Sequence, residues 1–364
     1  VASVERIVAA ACVNRISTSV PPHDVHAAFV DYACKQLIEN PRKAGLFRRL
    51  AEQGQIERRY SFFKPSGDLS GQVLDADAVY KRGAFPSTAT RMRLFEKQAP
   101  LLAFEAIERL LVEGERSEIT HLIVTTCTGF AAPGIDLQII EKFDLAANVE
   151  RTIVGFMGCY AAMNGLKLAR HLVRSEPDSK VLIVNLELCT LHLKETTDLD
   201  QILSFFLFAD GCAASLISSD PVGIELDSFS AFLAPETRDL ITWHLGDSGF
   251  DMHLSGHVPA AIRNALCSQA SAILAGDPVD AIDLWAIHPG GRAVLDAVQR
   301  AMDLPDRALS ASREILRDYG NMSSATVMFV LKRLMETMES GQKGCAIAFG
   351  PGVIAETMRF HVAG

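Results

Sequence analysis

Four short runs in the middle third of the chain are apolar, rich in β-branched residues and stopped by small or turn-forming residues: HLIVTTCTG from residue 121, RTIVGFMG from 151, VLIVNLELC from 181 and GCAASLISS from 211. Strands of this kind have no polar side to turn towards water, so both faces have to be covered. A helix-like segment, YAAMNGLKLARHLVRSE, lies between the second and the third. Buried strands alternating with helices predict an α/β fold around a mostly parallel sheet.

The same theme returns after residue 220. GIELDSFSAFLA reads as strand, TWHLGDSGFDMHLS as strand and hairpin, and IDLWAIH as a buried strand, while GCAIAFGPGVIAETMRFHV closes the chain as paired strands. Three helices are predicted between about 291 and 340. The first hundred or so residues read mainly as helices, in HDVHAAFVDYACKQLIEN, GLFRRLAEQG and RMRLFEKQAPLLAFEAIERLLVEG. Two βα-rich halves, 1–220 and 221–364, divide near Asp220-Pro221 with no long linker. That pattern predicts an internally duplicated α/β architecture packed as one unit.

With 364 residues, 49% of them apolar, a large core is available. The net charge of -9 argues against nucleic acid as the main partner, since phosphate binding needs a surplus of Lys and Arg. The eight cysteines show no CxxC pair and no zinc-type histidine spacing, so they read as reduced thiols and no metal site is predicted. VASVERIVAAACV carries Glu5 and Arg6 inside its apolar stretch, unlike a signal peptide. No run reaches the ~18 apolar residues of a membrane span. A cytoplasmic protein is expected.

A Walker loop and a Gly-x-Ser-x-Gly elbow are both missing, and GPGVIA at 350–355 is followed by a strand where a dinucleotide fingerprint needs a helix. Cys159, in GFMGCYAAMNG, stands between a strand-like run and a helix start. There the helix dipole and free backbone N–H groups favour a thiolate, although a small buried residue would explain the position as well. A thiol nucleophile needs a histidine near it. His288 ends the strand DLWAI before Pro289-Gly290-Gly291, at the type of strand end where α/β sheets bind ligands, whereas His23, His26 and His171 read as surface residues of solvated helices. Asn321, in YGNMSSA, precedes a long helix, where it serves either as an N-cap or as an amide donor to an oxyanion.

Taken in order, GCYAAMNGLKLAR, WAIHPGGRAVLDAV, YGNMSSATVMFVL and AFGPG resemble the nucleophile, histidine, asparagine and glycine-loop segments of the type III polyketide synthases, the chalcone synthase-like family. TTCTGFAAPGID and LFADGCAASLI also resemble family segments, so the likeness spans nearly the whole chain. It implies a homodimeric thiolase fold with a duplicated αβαβα five-layer core and a catalytic triad of Cys159, His288 and Asn321. In family terms Cys159 takes an acyl starter from coenzyme A, and His288 and Asn321 bind the malonyl thioester and stabilise the enolate left by loss of CO₂. His288 is also expected to hold Cys159 ionised as an ion pair. No metal or redox cofactor is implied, and the partners are the substrates acyl-CoA and malonyl-CoA.

Departures from the plant enzymes bear on substrate choice. Phe208 matches one gatekeeper phenylalanine, and the second gatekeeper position falls on Met252. Trp243 stands in place of a cavity glycine, Cys127 and His192 in place of two threonines, and Cys189 in place of another small polar residue; Ser323 is carried over as a substrate contact. Ala132 replaces a methionine contributed by the neighbouring subunit, and Ala348 begins the glycine loop. Arg49 matches a cation for the CoA phosphates, with Arg48, Arg58 or Arg59 as further bases, and Gly290 and the backbone near Ala293 are expected to meet the pantetheine. The resemblance therefore implies a reshaped pocket with a tunnel for an alkyl chain, and a pyrone or resorcinol product. The alternatives are an initiating ketoacyl synthase that makes a single condensation, and a non-catalytic member of the same fold.

Overall fold

The structure is a computed structural model that describes residues 9–68 and 70–364. The chain opens with β1 (Cys12–Ser19), β2 (His23–Asp24), α1 (His26–Gln36), α2 (Pro41–Gln53), β3 (Tyr60–Ser61) and the long α3 (Thr88–Leu110). Then come β4 (His121–Thr126), α4 (Ile135–Phe143), β5 (Glu150–Gly155), α5 (Ala161–Ser175), β6 (Val181–Leu188), α6 (Leu199–Leu207) and β7 (Asp210–Ser218). The second half contains β8 (Ile224–Leu233), the hairpin β9 (Ile241–Gly246) and β10 (Gly249–Leu254), α7 (Val258–Ile273), β11 (Leu284–Ile287) and α8 (Arg292–Ala301). It ends with α9 (Ser310–Tyr319), α10 (Thr326–Met335), β12 (Lys343–Gly350) and β13 (Ile354–Val362).

The two halves repeat one pairing order. β4 runs parallel to β6, which is antiparallel to β7, which is antiparallel to β1. In the same way β11 runs parallel to β12, which is antiparallel to β13, which is antiparallel to β8. Cys12 and Val13 of β1 meet Glu225 and Ile224 of β8, and so a mixed nine-stranded sheet forms in the order β11-β12-β13-β8-β1-β7-β6-β4-β5. This corrects the expectation of a mostly parallel sheet. An apolar run shows that a strand is buried but carries no record of its direction, and β12 turns back through Pro351–Val353 straight into an antiparallel β13.

Layering follows from which side chains share a core. Met163, Leu166 and Ala169 of α5 pack with Val327, Met328 and Leu331 of α10 between strands of both halves, represented by Ile183 and Ala213 on one side and Ala286 and Met358 on the other. Outside, α3 lays Phe95, Leu102 and Ile107 on Leu122, Leu182 and Leu216. On the opposite outer face, Ile262 and Leu266 of α7 and Leu295 and Val298 of α8 cover Trp285 and Ile347. The strand β1 was hidden among segments read as helical because polar residues interrupt its apolar ones: Val13 and Ile16 join the core, whereas Ser17 and Ser19 are buried and donate to the Ala106 carbonyl and the Glu105 carboxylate of α3.

Two pairs of matching corners meet the site. α5 and α10 precede β6 and β12 in their halves, and each is entered through a short 3₁₀ turn, Gly158–Tyr160 and Ser323–Ala325. Cys159 and Asn321 lie at these two entrances. Likewise Cys127 and His288 are the residues that directly follow β4 and β11.

Candidate active site

At the entrance to α5 the backbone is bent to present Cys159. Gly158 has φ +71°, and a Cβ on it would overlap the Pro351 ring, so the turn needs glycine there. His288 is fixed by its own N–H, which donates to the Ile347 carbonyl at 2.8 Å. The side-chain Oδ1 of Asn321 accepts the Ser323 N–H at 2.9 Å, so the cap-like bond occupies the oxygen and leaves the amide NH₂ as the donor, to the Gly290 carbonyl at 3.4 Å and to the Cys159 sulfur. The two readings of Asn321 are therefore compatible: one atom caps the turn and the other is a donor.

All three residues line one cavity of about 670 Å³. Cys127, Cys189, Phe208, Trp243, Met252 and Ser323 share its wall, and Gly290 and Ala293 lie on it as well. A larger surface groove of about 1020 Å³ beside α1 and α9 contains none of them. Trp243 and Met252 face each other across the β9–β10 hairpin, and the Trp243 indole N–H donates to the Cys127 carbonyl at 2.8 Å, which fixes the ring's pose.

Burial sets the charge states. It pushes the Cys159 thiol up to about 12, against hydrogen bonds from Ser323 and Asn321 that favour the thiolate, while the Glu187 carboxyl adds to the rise. It pushes His288 down to about 3, and both ring nitrogens lie buried without a hydrogen-bond partner. Burial thus drives both groups towards their neutral forms, against the expected ion pair. At a buried position each charged form loses its hydration; Ser323 and Asn321 offset part of that loss for the thiolate, and no hydrogen-bond partner does so for the His288 imidazolium.

Cys127 is buried in a network centred on Glu187. That carboxyl accepts the Cys127 N–H (3.0 Å), the Thr128 hydroxyl (2.9 Å) and the Ser324 hydroxyl (2.6 Å), and Ser323 Oγ lies 3.2 Å from Cys127 Sγ. Burial, then Glu187, raise the Cys127 pKa well above the ordinary thiol value. The sequence reading missed Glu187. Its segment VLIVNLELC was taken as a uniform apolar strand, and the acid inside that strand was the available signal. Arg292, the first residue of α8, was missed too; it lines the cavity mouth with Leu50 and Gln53 and donates to the Gln53 carbonyl at 2.9 Å.

Two other assignments change. His192 does not line the cavity: it is fully buried, stacked on Phe250 and edge-on to Trp243. Its Nε2–H donates to the Thr128 carbonyl (2.7 Å) and its Nδ1 accepts the Phe250 N–H (3.1 Å), consistent with burial holding its pKa near 3, so it supports the wall from behind. His26 is held by Arg59, with its Nδ1 accepting from Arg59 Nε at 3.1 Å, and is not a free surface histidine. Arg49 is exposed on α2, whose neighbouring Leu50 and Gln53 form the cavity rim, and Ala132 lies outside the cavity of its own chain.

A duplicated fold of this layering, with a thiol, an imidazole and an amide in one cavity, defines a condensing enzyme that works on acyl thioesters. Residues 3–221 match the N-terminal domain, and residues 225–363 the C-terminal domain, of the chalcone and stilbene synthases. The chain belongs to that family and is a type III polyketide synthase, a decarboxylating, condensing acyltransferase. It is 31% identical, over 97% of its length and 91% of the relative's, to the alpha-pyrone synthesis polyketide synthase-like Pks18 of Mycobacterium tuberculosis. Among solved structures it is similar to PKS-I of the brown alga Ectocarpus siliculosus (TM-score 0.86, 27% identity, 98% of this chain and 100% of that one). It is also similar to 1,3,6,8-tetrahydroxynaphthalene synthase of Streptomyces coelicolor A3(2) (TM-score 0.85, 26% identity, 97% and 99%). The single-condensation alternative is not favoured by these findings.

Proposed function

We propose that this synthase loads an aliphatic acyl group from acyl-CoA onto Cys159, extends it with malonyl-CoA and closes the chain to an alkyl α-pyrone. The observation that carries this reading is a second cavity of about 250 Å³, which shares Cys189, Phe205 and Phe208 with the catalytic cavity and is walled by Val25, Phe29, Phe63 and Leu74. Its wall is mixed, with Asp31, Lys35, Arg59, Asp68 and Asp75 beside the apolar residues, and its apolar part suits an alkyl tail, whose burial is favourable by about 0.8 kcal/mol per methylene. The name of the mycobacterial relative, with its alpha-pyrone product, points the same way.

In this scheme the Cys159 proton passes to His288 as the thiol attacks the starter thioester, and coenzyme A leaves as the free thiol, taking that proton back from His288. A neutral imidazole and the Asn321 amide then each direct one N–H at the malonyl thioester oxygen. Loss of CO₂ places negative charge on that oxygen, the enolate carbon attacks the acyl-cysteine carbonyl, and the thiolate departs. Decarboxylation itself supplies the carbanion, so the reaction calls for no metal or redox group. Arg292 and Arg49, near the rim, are assigned to the coenzyme A phosphates. The enzyme is further assigned to the cytoplasm and to a homodimer.

The test is incubation with acyl-CoA starters of increasing chain length plus malonyl-CoA, with mass analysis of products. Triketide and tetraketide alkylpyrones are expected. A single β-ketoacyl product would sink the reading, and resorcinols would overturn the ring-closure part alone.

A further inference from the structure

Arg59 is a buried cation that the chemistry above does not use. Its side chain is 2% exposed, and its guanidinium bonds are to a histidine nitrogen and two carbonyls, with none to a carboxylate. Nε donates to His26 Nδ1, while Nη1 donates to the carbonyls of Phe205 (2.9 Å) and Phe208 (2.6 Å) at the C-terminal end of α6. Nη2 has no partner, and the guanidinium carbon lies 4.8 Å from the Phe29 ring centroid. A charge held in this way is costly unless its position does something.

Its surroundings show what that position controls. Phe208, a gate residue of the cavity, caps α6. The next link is a pair of backbone bonds, Asn321 N–H to the Leu207 carbonyl (2.8 Å) and Ala209 N–H to the Asn321 carbonyl (2.9 Å), which lock the gate segment to Asn321. Gly320, with φ +70°, lies directly on the Arg59 stem; a Cβ there would come within 2.8 Å of Arg59 Cγ and 2.9 Å of the Leu207 carbonyl. One side chain therefore touches the end of α6, the gate and the turn that delivers Asn321.

We propose that Arg59 is a positioning residue for the condensation half-reaction, setting the Asn321 amide and the Phe208 gate through the C-terminal end of α6. A cation is suited to this because it meets the partial negative charge of a helix C-terminus, and its planar fork joins His26, through Nε, to the two carbonyls, both bonded by Nη1. Cys159 is held by a separate turn, Gly158–Tyr160 against Pro351, and meets Asn321 only through one side-chain hydrogen bond, so on this proposal its acylation depends far less on Arg59 than decarboxylation does.

This inference rests on the assignment of Cys159 to acylation and Asn321 to decarboxylation, and the two half-reactions separate the claims. Cys159 acylation is read by intact mass after mixing with acyl-CoA, and malonyl-CoA decarboxylation by CO₂ release, in the full-length wild type, R59Q, R59K, N321A and R59Q/N321A. For R59Q we expect acylation within about twofold of wild type and a kcat for decarboxylation lower by roughly ten- to hundredfold, with KM little changed, because small displacements of catalytic groups cost that much. R59K should not restore the rate, since an ammonium lacks the fork. The double variant should be no slower than N321A alone, as for two residues acting through one group. Unchanged decarboxylation in R59Q, a parallel loss of acylation, rescue by R59K, or a further loss in the double variant would each overturn the proposal. If N321A itself decarboxylates normally, the assignment of Asn321 fails instead. Should R59Q not fold, as judged by thermal unfolding, His26→Ala removes the Nε acceptor of Arg59 and is expected to show the same split at smaller amplitude; without that split the proposal fails.

Discussion

Cys159 and His288 show how one environment sets two opposite shifts: burial raises the thiol to about 12 and lowers the imidazole to about 3. Both are driven towards the neutral form, which fits the proposed scheme, in which the nucleophile is generated by proton transfer to His288 during acylation. The thiolate fraction of a group that titrates near 12 rises about tenfold per pH unit throughout the neutral range. Alkylation of Cys159 by iodoacetamide, followed on its own peptide because Cys267 is exposed, is therefore expected to climb without a plateau from pH 6 to 9. A rate already level near neutral pH would show a resting ion pair and contradict this account.

At the scale of elements, the β9–β10 hairpin forms one wall of the cavity and is pinned to the first half at its tip by Thr88 and, nearer the cavity, by two further bonds. These are the Trp243 indole N–H on the Cys127 carbonyl and the Phe250 N–H on His192 Nδ1. Trp243 stands on the wall of the cavity in which the chain would grow, while Cys189 is shared by the walls of the catalytic cavity and the side chamber. Trp243→Ala is expected to shift products from triketide towards longer chains, at a stability cost of about 3 kcal/mol or less, since the ring is only partly buried. Mass profiles of the products with one fixed starter provide the check, and an unchanged distribution would show that Trp243 does not limit chain length.

For the whole molecule, β5 ends the nine-stranded sheet, and its residues are largely exposed, although the sequence reads as a buried strand. Ile153 on β5 lies near Phe130 and Phe156 in sequence or ring contact, and all three are exposed large apolar residues. An open strand edge beside an apolar patch is a pairing surface, and a second copy of the chain would cover it and bring Ala132 to the interface. Ile153→Asp should convert a dimer into a monomer in analytical ultracentrifugation, with loss of activity. A wild-type monomer, or a dimer indifferent to this change, would move the interface elsewhere.

The apolar runs marked β4, β6, β7 and β11 as buried, and the GCY, IHPGG and YGNMSS segments marked the site, because burial and turn chemistry are local properties written residue by residue. Strand direction, the polar β1 and the exposed face of β5 were not legible, since each depends on what lies across the sheet. The same holds within the site. That His192 stands behind the wall, that Glu187 gathers Cys127, Thr128 and Ser324, and that Arg59 lies under Gly320 all follow from contacts between distant segments. The sequence by itself singled out Cys159, His288 and Asn321, and the fold brings all three to one cavity. Their protonation states and what holds them in place were decided only when folding took them out of water and set neighbours around them.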